Sequence, residues 1–192
     1  MPGMNNEVVP VEIREILPAS EGAAVFIGND EKVFVIQMDA AMGAVIDAAR
    51  RGVPKERPLT HDLMGLVFKG FGITVERVVI TSVREGTYLA RIILKQENQL
   101  GTKLVEIDAR PSDCLALASA GRRPMYVARA LFHAVADMSG LLAEIHQMRA
   151  EQDGGGAEGE EEGEAGKDRP AGDDEDEGEA GEGERGGPSN PK

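Results

Sequence analysis

The sequence predicts an α+β domain, a mixed and largely antiparallel sheet with helices packed on it, followed by a disordered acidic C-terminal tail. Three observations lead there. β-branched runs come in groups instead of alternating one by one with helical segments, which argues against a regular βαβ array. Two junctions, RPLTHD at 57–62 and RPSD at 110–113, each pass from an arginine and a proline into side chains that start helices. The charge balance then changes abruptly after residue 150. Residues 151–192 hold 16 of the 34 acidic residues and 4 of the 21 basic ones, so the tail carries −12 of the net −13 and residues 1–150 carry −1.

The tail, 151–192, contains no Leu, Ile, Val, Met or aromatic residue and has nothing to bury against the entropy cost of ordering. Residues 1–150 are enough for one conventional core. A single cysteine, Cys114, excludes an intrachain disulfide and any multi-cysteine metal site, and fits a reducing, cytoplasmic setting. The opening MPGMNNEVVPVEIREIL lacks a basic segment followed by an apolar one, and no stretch approaches 18 apolar residues, so neither secretion nor membrane insertion is expected.

Taken in order, VVPVEIREIL (8–17), AAVFIG (23–28) and KVFVIQM (32–38) read as an antiparallel meander, the last two joined at Gly28-Asn29-Asp30. Asp39 caps a helix over 40–51 with Ala41, Val45 and Ala48 on one face and Gly52 as its stop. Thr60 is the expected N-cap of a second helix, with Leu63, Val67 and Phe71 as its buried stripe and Gly70 or Gly72 at its end. Residues 73–83 and 87–96 form a hairpin through Arg84-Glu85-Gly86, and 103–109 adds a strand. A short helix over 113–120 and a strand over 124–128 follow.

The last segment is expected to be one long helix over about 129–150. Its Leu131, Val135, Met138, Leu142, Ile145 and Met148 approach a heptad seam, which predicts a homodimer or higher homo-oligomer. The competing reading has the first half covering the sheet and the second half fraying, with Ser139-Gly140 at the break.

Capping accounts for much of the two junctions: Thr60 and Ser112 can accept from free backbone N–H groups, while Asp62 and Asp113 favour the positive ends of helix dipoles. It does not require Arg57, Arg110, His61 or Asp108. Arginine at a helix start suits phosphate or carboxylate, but cross-junction pairs Arg57–Asp113 or Arg110–Asp62 would explain the same residues without chemistry. His133 and His146 have no partner at metal-ligand spacing. Phosphate-loop, zinc-protease, serine-hydrolase and EF-hand patterns are absent, and Gly70-Phe71-Gly72 precedes a strand instead of following one.

The strings RPLTHDLMGLVFKGFGITVERVVI, REGTYLARIIL, EIDARPSDCLALA and RRPMYVA together resemble the bifunctional nuclease domain family, over about residues 8–140 and in consistent order. The resemblance implies an α+β domain with a mixed sheet and a nuclease activity on RNA and DNA of the kind reported for plant members, and it brings no established catalytic set. Cys114 stands where small residues are usual.

The residues themselves supply a cast for phosphodiester hydrolysis. His61, Asp62, Asp108 and Asp113 are the catalytic candidates; Asp62, Asp108 and Asp113 suit Mg2+ or Mn2+; Arg57, Arg110, Thr60 and Ser112 suit substrate binding. Against nucleic acid as a partner, a body of charge −1 with two tyrosines and five phenylalanines has no evident basic or stacking surface. Two functions follow: a nuclease with its site between the junctions, or a non-catalytic module that binds a small anion or regulates a protein partner.

Overall fold

A computed structural model of the chain describes residues 7–99 and 101–154. The expected disordered tail lies outside the described residues, apart from the few at its start that continue the last helix.

Seven strands form one sheet: β1 (Val8–Ala19), β2 (Gly22–Gly28), β3 (Val33–Met38), β4 (Ile73–Arg84), β5 (Thr87–Asn98), β6 (Gly101–Ala109) and β7 (Met125–Ala128). Their spatial order is β3-β2-β1-β7-β4-β5-β6. Every neighbouring pair is antiparallel except β4 with β7, so the sheet is mixed and largely antiparallel as expected. The β4–β5 hairpin closes through Glu85 and Gly86, both at positive φ (50° and 77°), between the paired Arg84 and Thr87. That is the two-residue turn whose twist matches the strands, and Gly86 takes its second position without a Cβ clash.

A bulge in β1 decides which residues face which layer. The register slips between Ile13 and Glu15, so Val9, Val11 and Ile13 join the main core while Leu17 turns to the other face. The main core lies under three helices: α1 (Ala40–Arg51), α2 (Thr60–Gly70) and α3 (Pro111–Gly121). Central α3 has Cys114, Leu115, Ala116, Leu117 and Ala118 all buried, as befits a helix that is apolar nearly all round.

α1 is capped by Asp39, whose side chain accepts from the Met42 N–H, and stopped by Gly52 in the left-handed region. Of the expected face, Val45 packs on the main core and Ala41 is exposed, while the buried residues of the helix are Gly43 and Ile46. Gly43 seats against Ala23 of β2, and a Cβ there would come within 2.4 Å of the Ala23 Cβ.

The expected faces and caps of α2 and α3 also need correction. Leu63, Val67 and Phe71 are exposed, and Phe68 is the residue of that helix packed on the core. Thr60 is not the N-cap but the first helical residue, because the Asp62 carboxylate reaches back to accept from the Leu59 N–H and moves the cap to Leu59. α3 begins at Pro111, which has a helical φ built in and no N–H to lose, so Arg110 takes the cap position and Ser112 is buried inside the first turn.

The single long helix over 129–150 is replaced by α4 (Arg129–Ala134) and α5 (Ser139–Gly154). Val135 is extended (ψ 150°), and Asp137 accepts from the Ser139 N–H and hydroxyl, which starts α5 afresh. Most of the seam is used within the chain: Leu131 and Val135 pack on the main core, Met138, Leu142 and Ile145 cover Leu17, Phe26 and Val33 on the other face, and Met148 is left exposed. No helix among the described residues is long and apolar enough to cross a membrane.

Candidate functional site

The two junctions meet. His61 in the first turn of α2 places Nε2 3.0 Å from Oδ1 of Asp113 in the first turn of α3. Asp113 also accepts from Arg110, at 2.9 Å from Nε and 3.4 Å from Nη2. The Arg110 guanidinium, with His61 beside it, holds the Asp113 carboxyl below the usual range against the opposing effect of partial burial. Lys55 pairs with Asp62 through both carboxylate oxygens at 2.7 and 3.0 Å, and this contact lowers the Asp62 pKa. Neither Arg57–Asp113 nor Arg110–Asp62 forms: Asp113 takes its cation from its own junction and Asp62 from Lys55 just before its own, and the histidine supplies the link between them.

The Asp113 contact assigns the imidazole. A carboxylate can only accept, so Nε2 is the donor, and in the neutral ring Nδ1 is the nitrogen with the lone pair. Nδ1 has no hydrogen-bond partner among the described residues.

His61 and Asp62 line a cleft of about 810 Å3 between the end of α1, α2, the end of α3 and the start of β4. Its floor is apolar, with Phe68, Ile73, Val75 and Leu117. The charged residues in its wall are Lys55, Lys69, Arg123 and Asp62, three cations against one carboxylate, although residues 1–150 are close to neutral. Sequence reasoning passed over all three cations. Lys69 was accessible to it, seven residues after Asp62 and therefore on the same helix face. Lys55 and Arg123 reach the cleft from the segments before α2 and β7, which only the fold brings together.

The remaining candidates lie elsewhere. Arg57 and Thr60 are exposed and outside the cleft wall, and Ser112 is buried in α3. Asp108 sits on edge strand β6, opposite Arg91 of β5, and strand alternation turns it to the face away from Ile107 and Ala109. Among the described residues no three His, Cys, Asp or Glu side chains stand close enough to hold one metal ion. Asp62, Asp108 and Asp113, expected to hold Mg2+ or Mn2+, are not brought together: Asp62 pairs with Lys55, Asp113 with Arg110, and Asp108 is on the other face. Cys114 follows Asp113 but is fully buried, and burial, then Asp113 and Asp108, push its thiol up to about 12, so it is no nucleophile at neutral pH.

The chain is 31% identical over 103 residues to two uncharacterised proteins of Mycobacterium tuberculosis, one from each of two strains. Each alignment covers 54% of this chain and 58% of the relative, so the match spans little more than half the length of either protein. The family model described as the bifunctional nuclease domain matches residues 25–138, a span that holds α1, α2, α3 and every residue of the cleft. On that match, over more than half of its length, the chain belongs to the bifunctional nuclease domain family.

Proposed function

We propose that this protein hydrolyses phosphodiester bonds of RNA or DNA in the cleft beside α2. One observation carries the reading: a histidine oriented by a carboxylate, with its basic nitrogen unpartnered among the described residues, lines a cleft where cations outnumber the carboxylate three to one. In this reading His61 takes the proton from an attacking water at Nδ1, and Asp113 holds the ring and stabilises the imidazolium that forms. Lys69 and Arg123 offset the charge that builds on the phosphoryl oxygens and the leaving oxygen. Lys55 is committed to Asp62 and serves chiefly to fix the first turn of α2. Purified protein should cleave single-stranded substrate in the presence of a chelator, and His61→Ala should abolish that cleavage.

The ion pairs favour a second reading, in which the cleft binds a small anion and performs no reaction. Asp62 and Asp113 are both neutralised by neighbours, an arrangement that suits a fixed binding wall. Saturable binding of a mononucleotide with no cleavage of any polynucleotide would select it.

A further inference from the structure

α2 buries none of its side chains, which is unusual for a helix packed on a sheet. Leu63, Met64, Val67 and Phe71 are 56, 39, 47 and 71% exposed. They lie on the side of α2 opposite Asp62, Gly65, Leu66 and Lys69, which face the cleft.

Edge strand β6 is exposed from Gly101 to Asp108 and pairs on one side only. Its Val105 and Ile107 stand opposite Leu94 and Ile92, core residues of β5, so they point to the face that carries the helices and yet are left uncovered. Both ends of α2 are tied near the ends of this strand. His61 bonds Asp113 just beyond the end of β6, and the Gln96 side chain donates to the Phe71 carbonyl, Gln96 being the cross-strand partner of Lys103. These two ties bring the ends of α2 near the two ends of β6, and the outer stripe of α2 and the Val105 and Ile107 side chains are all left exposed.

Long, flat, apolar edges are templates for pairing with another strand. The opposite edge, β3, is blocked: its first residue, Val33, accepts from the Met138 N–H at 2.7 Å and donates to the Ser139 hydroxyl at 3.1 Å. β6 has no such cover among the described residues, and residues 155–192 contain no large apolar side chain to provide one.

We propose that β6 and the outer stripe of α2 form a homodimer interface, with two copies of the chain pairing their β6 strands antiparallel about a two-fold axis at Val105. A strand paired with its own copy satisfies the open edge of both at once. In this register Thr102 faces Asp108 of the second copy, Lys103 faces Ile107 and Leu104 faces Glu106, so no like charges oppose; centring on Glu106 would set that residue against itself. Six apolar side chains, each roughly half exposed, offer on the order of 550 Å2 per chain before the strand backbone is counted, most of the about 800 Å2 per partner typical of a stable interface.

Light scattering on the full chain at micromolar concentration should give twice the chain mass. Val105→Lys at the edge and Val67→Lys on α2 change exposed positions and should each weaken association at least tenfold with the circular dichroism spectrum unchanged. Introducing cysteine at Val105 should permit a short bis-maleimide to join two chains, whereas cysteine at Met148, exposed on α5, should not; Cys114 is buried and stays silent. A monomeric wild type, dimers of undiminished strength in both lysine variants, or no cross-link at position 105 would each overturn the proposal. Should Val105→Lys perturb the strand itself, Val67→Lys tests the same interface from a helix surface that touches no core.

Discussion

The Nε2 of His61 lies 3.0 Å from Oδ1 of Asp113, and this contact joins two helix starts that are 52 residues apart in the chain. It makes Asp113 a positioning residue for the imidazole, and it ties the second Arg-Pro junction, which lies outside the cleft wall, to His61, which is part of it. The consequences extend to binding, stability and reactivity.

Lys69 and Arg123 have no ion-pair partner among the described residues and line the cleft. Replacing either with alanine should weaken polynucleotide binding several-fold at low salt and reduce the slope of log affinity on log salt by about 1. Asp108→Asn, on the opposite face of the sheet, should leave both quantities unchanged. Filter binding across a salt series checks all three variants.

Asp113 and Asp62 have pKa values lowered in the folded state by Arg110 and Lys55 respectively. Groups with depressed folded pKa contribute stability that is present above their unfolded value, about 3.9 for aspartate, and is lost as pH falls through the folded value. The melting temperature should therefore decline below about pH 4, and Asp113→Asn should flatten that decline while lowering stability near neutrality. Thermal melts from pH 2 to pH 7 test the sign directly.

Gly43 and Gly65 should respond in opposite directions to alanine. At Gly43 the new methyl meets the Ala23 Cβ at 2.4 Å, and overpacking of this kind costs about 1–3 kcal/mol. At Gly65 nothing lies within 4 Å, and an interior helical glycine replaced by alanine gains about 0.5–1 kcal/mol. With each kcal/mol worth about 2–4 °C in a domain of this size, differential scanning calorimetry resolves both.

Cys114, with its thiol pushed up to about 12 and no exposed surface, should be inert to a thiol reagent at pH 8 in the native protein. It should react at once in denaturant. Rapid native labelling would mean that α3 opens locally far more often than its buried face implies.

The parts of the fold legible in the sequence were those decided locally. Asp39 and Gly52 bound α1 because cap and stop act within one turn, and Glu85-Gly86 marked its hairpin because a two-residue turn demands positive φ. The face of α2 was not legible. Leu63, Val67 and Phe71 form as good a stripe as any other, and the choice of Phe68 instead depends on where α3 and β4 lie. The last helix failed for a different reason. Heptad spacing runs through Val135 and Met138 and suggests one helix, whereas the break that the competing reading set at Ser139-Gly140 is where α5 begins, with Asp137 accepting from the Ser139 N–H. At the site, RPLTHD and RPSD were the right places to look. Which cation each aspartate would take, and that His61 would bridge the two, was set by tertiary placement.

If His61, held by Asp113, performs the proton transfer in a cation-lined cleft, no metal ion is needed for the reaction to run. The decisive comparison is cleavage of single-stranded RNA and DNA by wild-type protein and His61→Ala, assayed side by side in excess chelator. The expected result is chelator-resistant cleavage by the wild type and a loss of about 100-fold or more in His61→Ala at an unchanged melting temperature. Full activity in His61→Ala, or wild-type cleavage that disappears with the chelator, would contradict it.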